Sequence, residues 1–209
     1  MSGRGPAGEE SGPGHDGTWQ CYTRLEKGAQ HHVHARRLRD DREEEIVLDV
    51  DARARGYGYY AMAAARHSCE HAYYVWAEDV QGSEVYRIQV KDLATGQLCA
   101  PPVESAAGSF VISPDSAWLF WIYRDDNGRP SKVFRRPLLG GEDTLVFCET
   151  DPGFFLSIGL TASRKWIIIE RGDHDTNESL LIPTSDPTAT PAIAAPLVRG
   201  ERYNLTHWN

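Results

Sequence analysis

Three segments of this 209-residue chain can be laid over one another: Tyr73-Tyr-Val-Trp-Ala-Glu-Asp79, Trp118-Leu-Phe-Trp-Ile-Tyr-Arg124 and Trp166-Ile-Ile-Ile-Glu-Arg-Gly172. Their starts lie 45 and 48 residues apart. Each is followed by a polar turn (Val80-Gln-Gly-Ser83, Asp125-Asp-Asn-Gly128, Asp173-His-Asp-Thr-Asn177) and then by a second run rich in strand formers. Those second runs are Glu84–Val90, Lys132–Arg136 and Glu178–Ile182. A short third run closes each unit (Gln97-Leu-Cys99, Thr144–Cys148, Pro196-Leu-Val198). An apolar run precedes each aromatic strand: Tyr59–Ala65, Ser109-Phe-Val-Ile112 and Phe154–Ile158. Runs of Tyr, Trp, Val, Ile and Phe bounded by Gly, Asp, Asn and Pro signal strands and turns.

Four antiparallel strands in a repeat of about 40–50 residues is the pattern of a β-propeller blade. A single twisted sheet of that size cannot bury both faces, so such units stack radially on one another. A less regular unit precedes the three, with Trp19–Thr23, a turn at Glu26-Lys-Gly28, His32–Arg36 and Ile46-Val-Leu48, its first strand not visible. The expected fold class is all-β, a partial propeller with three complete blades and two partial ones. Residues 1–17 (Gly, Pro, Ser and Glu) predict a disordered lead-in. Residues 18–209 predict the propeller domain, with units at about 18–50, 57–103, 106–150 and 153–199 and a further blade starting at 201–209. No window sustains helical spacing for three turns, and the Ala-rich patch at Ala61–Ala65 suits a strand equally well.

Composition narrows the function. With 22 Lys and Arg against 30 Asp and Glu, the net charge of −8 argues against general nucleic-acid binding. No apolar stretch approaches the ~20 residues of a membrane span, and no basic start leads into an apolar core. A cytoplasmic protein is the expectation, with no membrane and no nucleic-acid partner. Cys21, Cys69, Cys99 and Cys148 are widely spaced, which predicts reduced, mostly buried thiols rather than disulfides or zinc.

The run Glu84-Val-Tyr-Arg-Ile-Gln-Val-Lys-Asp-Leu-Ala-Thr-Gly-Gln97 resembles the second-blade segment of the oligopeptidase B type within the prolyl oligopeptidase family of serine peptidases. The landmarks Tyr22–Gly28, Val47-Leu-Asp-Val50, Tyr59-Tyr60, Val111-Ile-Ser-Pro-Asp115, Asp173–Ser179 and Arg202-Tyr203 follow in the family's order. The resemblance covers about residues 17–207. It implies a seven-bladed propeller that caps an α/β-hydrolase domain and admits oligopeptides, in enzymes that cleave after Lys or Arg. Two departures stand out. Ser68-Cys-Glu70 occupies a slot that usually reads Ser-Pro-Asp, and nothing aligns with a catalytic triad. The G-x-S-x-G elbow that such a serine needs is missing from the sequence.

Other candidate sites read as structure. His31-His-Val-His34 could place His32 and His34 on one strand face for a metal, but a solvated strand face is the expectation. Asp40–Glu45 is a charge run that Arg36, Arg37 and Arg39 would cancel locally. Asp173–Asn177 has oxygen ligands but lacks the glycine and terminal glutamate of a calcium loop, so a hairpin turn is expected. Trp19, Trp76, Trp118, Trp121 and Trp166 recur with the blade period and read as core between blades rather than stacking platforms. Gly56-Tyr-Gly58 is not a dinucleotide fingerprint, and the glycosylation triplets Asn177-Glu-Ser179 and Asn204-Leu-Thr206 are expected to be idle. Catalytic, cofactor and metal residues are therefore all expected to be none, and the chain alone to be inactive.

Two functions fit this reading. One is the substrate-gating propeller portion of an oligopeptidase-B-like serine endopeptidase whose hydrolase domain is encoded outside this sequence. The other is a stand-alone interaction module that closes by self-association through its open blade edges.

Overall fold

The computed structural model describes residues 14–196 and residue 198. The contacts divide the chain into two compact units, Met1–Tyr60 and Ala61–Asn209.

The first unit holds a four-stranded antiparallel sheet in simple order: β1 (Gly14–Asp16), β2 (Trp19–Arg24), β3 (Val33–Leu38) and β4 (Glu45–Asp49). Gly14–Asp16 is a correction to the expected disorder of residues 1–17. These three residues pair with Trp19–Cys21 and supply the strand that sequence left invisible. Hydrogen bonding to the free edge of β2 needs no apolar side chain, which is why composition concealed it. Val33, Ala35, Val47 and Leu48 are buried in this sheet. One turn of helix follows, α1 (Val50–Ala54), whose N-cap Asp49 accepts from the Ala52 N–H at 2.8 Å. It is too short to register as a period.

The second unit contains two sheets. The larger has the order β11-β10-β9-β8-β7-β6-β5, and the smaller the order β12-β13-β14-β15. The strands are β5 (Ala61–His67), β6 (Tyr73–Asp79), β7 (Tyr86–Asp92), β8 (Val103–Ile112), β9 (Trp118–Arg124), β10 (Pro130–Pro137) and β11 (Thr144–Cys148). The smaller sheet has β12 (Phe155–Leu160), β13 (Trp166–Gly172), β14 (Asn177–Pro183) and β15 (Ala192–Ala195). Ala61–Ala65 is thus strand, and the three laid-over segments are β6, β9 and β13.

Two closing strands differ from expectation: the last unit is closed by β15 at Ala192–Ala195, ahead of the expected Pro196-Leu-Val198. Gln97-Leu-Cys99 does not close the second unit as a strand; Leu98 makes a single bridge to Lys91. The closing strand is the start of β8, where Val103 pairs with Ile88 and Ala106 with Tyr86. The same β8 then opens the next unit, with Phe110 opposite Trp121 and Ile112 opposite Leu119. Gly108 sits at the join with φ +93°, and a Cβ there would lie 2.8 Å from that of Ala63. Glycine is required for both reasons.

Two apolar cores hold this unit together. In the first, Val75, Ala77, Ile88 and Val90 pack with Ala106, Phe110, Leu119 and Trp121. In the second, Phe120, Ile122 and Val133 pack with Leu156, Ile167, Ile169, Leu180 and Ile182 of the smaller sheet. Alternate residues of β9 therefore serve different cores, which explains its nearly unbroken apolar run. The fifth expected unit, 201–209, lies outside the described residues, as does the segment before Gly14.

Candidate functional site

The repeat extends to the turns, where it is chemical as well as geometric. Between the first two strands of each unit a hydroxyl residue closes the loop. Ser68, Ser113 and Thr161 each accept, through the side-chain oxygen, the backbone N–H five residues on (Tyr73 3.0 Å, Trp118 2.9 Å, Trp166 3.1 Å). Each also donates its own N–H to the carbonyl of that same residue at 2.9 Å. The fourth turn residue is left-handed every time: His71 at φ 59°, Ser116 and Arg164 at 57°. Ser68-Cys-Glu70 keeps this geometry without proline, so the hydroxyl, not the ring, carries the turn.

The next turn is capped by an aspartate. Asp79 accepts from the N–H groups of Gln81, Gly82 and Glu84, Asp125 from Asn127 and Arg129, and Asp173 from Asp175 and Thr176. Those donors, Arg129 and Asp175 foremost, hold the Asp125 and Asp173 carboxyls below the usual carboxylate range. Asp173–Asn177 is therefore the expected hairpin turn, its carboxylate spent on backbone. Gly172 fits beneath it: a Cβ there would meet the Thr176 carbonyl oxygen at 2.1 Å.

Each unit also holds carboxylates paired with arginine that sequence reading missed, with Glu78, Glu149 and Glu178 buried and Asp143 exposed. Glu78, fully buried, accepts from the Trp76 indole at 2.8 Å, from Arg87 Nε at 2.7 Å and from Gln89 at 3.2 Å. Asp143 accepts likewise from the Trp121 indole at 3.0 Å and from Arg136 at 2.8 and 2.6 Å. In the last unit Arg171 bridges Glu178 at 2.7 Å and Glu149 at 3.2 Å, with the Phe154 and Phe147 rings 5.6 and 5.9 Å away. Trp76-Ala-Glu78 was a visible signal for the first of these; Asp143, 22 residues from Trp121, gave none. These groups are hydrogen-bonded to their neighbours and act as fixed charges within the sheets.

In the first unit a cavity of about 530 Å³ is bounded by α1, by Gln30 and His31, and by Tyr57, Tyr59 and Tyr60. Tyr57 and Tyr60 lie 6.2 Å apart, and the His31 ring meets Tyr60 edge-on at 5.6 Å. Asp51 anchors the cavity, accepting from the backbone of Gln30 (3.0 Å) and from Arg55 (3.1 Å), which holds its carboxyl below the usual range. Of Gly56-Tyr-Gly58, the last two residues line this cavity.

His32 is exposed and precedes β3, so it does not share a strand face with His34. His34 is not solvated as expected: it is half-buried, and burial foremost, with His32 adding, lowers its pKa to about 4. In the charge run Glu45 pairs with Arg36 at 2.8 Å, as expected, while Arg37 turns to Gln20 and Glu44 takes Arg24 and the Tyr22 hydroxyl. Arg24 foremost keeps the Glu44 carboxyl low. Trp76 and Trp121 are buried, whereas Trp19 is half-buried beneath Arg36, 4.1 Å from its ring. Cys21, Cys69 and Cys99 are free and half-buried, and Cys148 is exposed rather than buried. Burial raises the Cys21 and Cys99 thiol pKa values. Asn177 and Ser179 are buried in β14, which leaves that triplet inaccessible to glycosylation. Asn204-Leu-Thr206 lies outside the described residues. No helix among the described residues is long and apolar enough to cross a membrane.

Stacked antiparallel four-stranded units, stapled by the same hydroxyl and aspartate turns, define a protein of the β-propeller class. Residues 1–209 match the family model of the prolyl oligopeptidase N-terminal β-propeller domain, and the chain belongs to that family. It is 29% identical to Protease 2 of Moraxella lacunata over all of this chain and 32% of that protein. It is also 29% identical to dipeptidyl aminopeptidase BI of Pseudoxanthomonas mexicana, over 90% of this chain and 29% of that one. Among solved structures, oligopeptidase B from Leishmania major superposes with a TM-score of 0.90 at 26% identity, over 97% of this chain and 30% of that one. Oligopeptidase B from Trypanosoma brucei, in a closed form with covalently bound antipain, gives 0.87 at 27% identity, over 97% and 29%. The chain thus spans about a third of the length of the proteins it matches.

Proposed function

We propose that these residues are the substrate-gating propeller portion of an oligopeptidase-B-like serine endopeptidase acting in the cytoplasm on oligopeptides with Lys or Arg at the cleaved bond. The observation that carries the reading is the superposition of 97% of the chain on oligopeptidase B at a TM-score of 0.90. In this role the chain performs no bond cleavage. The side-chain oxygens of Ser68, Ser113 and Thr161 and the aspartates of the hairpin turns are engaged with backbone, and the buried carboxylates with arginines. Without an activated nucleophile and an oxyanion hole a hydroxyl does not attack an amide. What the blades contribute is a stiff wall that limits access by size, and a net charge of −8 that draws cationic peptides through long-range attraction.

The test uses a fluorogenic Arg- or Lys-containing peptide. The purified 209-residue chain is expected to give no turnover. Grafted in place of the matching blades of an oligopeptidase-B-type enzyme, it is expected to support cleavage of the short peptide but not of a folded protein. Serine-inhibitor-sensitive cleavage by the chain alone overturns the proposal, as does a folded, inactive graft.

A further inference from the structure

We propose that His67 and His71 form a binding site for a transition-metal ion of the Zn²⁺ type, built into the turn between β5 and β6. The two rings lie 4.6 Å apart at an interplanar angle of 33°, and their nitrogen donors fall within 4.8 Å of each other. Two imidazoles on one ion with metal–nitrogen bonds of about 2.0–2.1 Å have nitrogens no more than about 4.2 Å apart, so the proposed chelate needs only a small approach of the two rings. Imidazole nitrogen suits Zn²⁺, Cu²⁺ and Ni²⁺, with water completing the coordination shell.

The backbone holds this pair in place. The Ser68 N–H bonds the Tyr73 carbonyl and the His71 N–H bonds the Ser68 carbonyl, both at 2.9 Å, so the turn that separates the histidines is closed on both sides. The left-handed conformation of His71, at φ 59°, fixes the direction in which its side chain leaves the turn. His71 is 6% exposed and His67 more so, giving one sheltered ligand and one on the approach side.

The repeat supplies an internal comparison. Forty-five residues on, the places of His67 and His71 are taken by Ile112 and Ser116, and 48 further by Leu160 and Arg164. Those turns have the same hydrogen bonds and the same left-handed residue, so the fold does not itself demand an imidazole at either position. The competing role is ring packing with Tyr74, whose centroid lies 4.7 Å from that of His67. A packing role predicts an effect on stability and none on metal uptake.

The chelator-stripped 209-residue chain is titrated with Co²⁺, read by its visible absorption, and then with Zn²⁺ in competition. One equivalent is expected to bind. His67→Gln and His71→Asn are each expected to weaken binding by at least about tenfold, the lower end of what even outer partners of a metal contribute. Asparagine is chosen because it tolerates a positive φ. A variant with His31, His32 and His34 all changed to Ala is expected to bind as the parent does. As a readout independent of variant folding, Zn²⁺ is expected to protect His67 and His71 of the unaltered chain from diethyl pyrocarbonate, mapped by mass spectrometry. Absence of binding, loss of binding only in the triple variant, or unprotected His67 and His71 each overturn the proposal.

Discussion

Glu78 shows how a buried charge is tolerated here. It is fully buried, yet Trp76, Arg87 and Gln89 all donate to it, so truncation leaves the guanidinium of Arg87 facing an empty site. Glu78→Ala is expected to cost about 3–5 kcal/mol, and Glu78→Gln, which keeps an acceptor for the indole, less; urea unfolding of both variants checks the order. His34 carries a pH dependence. Its folded pKa of about 4 lies below its ordinary value of 6.5, so the unfolded chain binds more protons between those limits. The stability it contributes is complete above about pH 6.5 and is lost as the pH falls toward 4. Urea midpoints measured at pH 7 and pH 5 should converge in His34→Gln; an unchanged slope contradicts the assignment. Sequence reading found the tryptophans because they recur with the period. It missed their partners because a carboxylate such as Asp143 reaches Trp121 only through the register of β10 and β11.

At the scale of the element, the hairpins are set by Asp and Gly rather than by strand propensity. Gly172→Ala places a Cβ against the Thr176 carbonyl, and backbone cannot step aside as a flexible side chain would. The variant is expected to open the β13–β14 hairpin, read as faster amide exchange at Asp173 and Thr176, whose N–H groups close the turn. Exchange rates equal to the parent's count against this account. The polar turns were legible because Asp, Asn and Gly carry the turn chemistry in their own side chains and φ angles. Strand β8 was not. Its Ser105-Ala-Ala-Gly-Ser109 core reads as a loop, and Gly108 bends one continuous strand from the close of one unit into the start of the next. The helix α1, five residues long, and the edge strand β1 lie below the length at which periodicity speaks.

At the scale of the whole molecule, the all-β class and the repeat were legible because β6, β9 and β13 must each present alternate faces to a core. The assignment of blades rests on β8: Ala106 pairs with Tyr86 of β7 on one side and with Tyr123 of β9 on the other, so two repeats share one strand. The most direct test is a set of cross-strand nuclear Overhauser contacts from the Ala106 backbone in the isotopically labelled chain. Contacts to both Tyr86 and Tyr123, in antiparallel register, are predicted. Contact to one partner alone, or parallel register on either side, contradicts the propeller arrangement on which the proposed function stands.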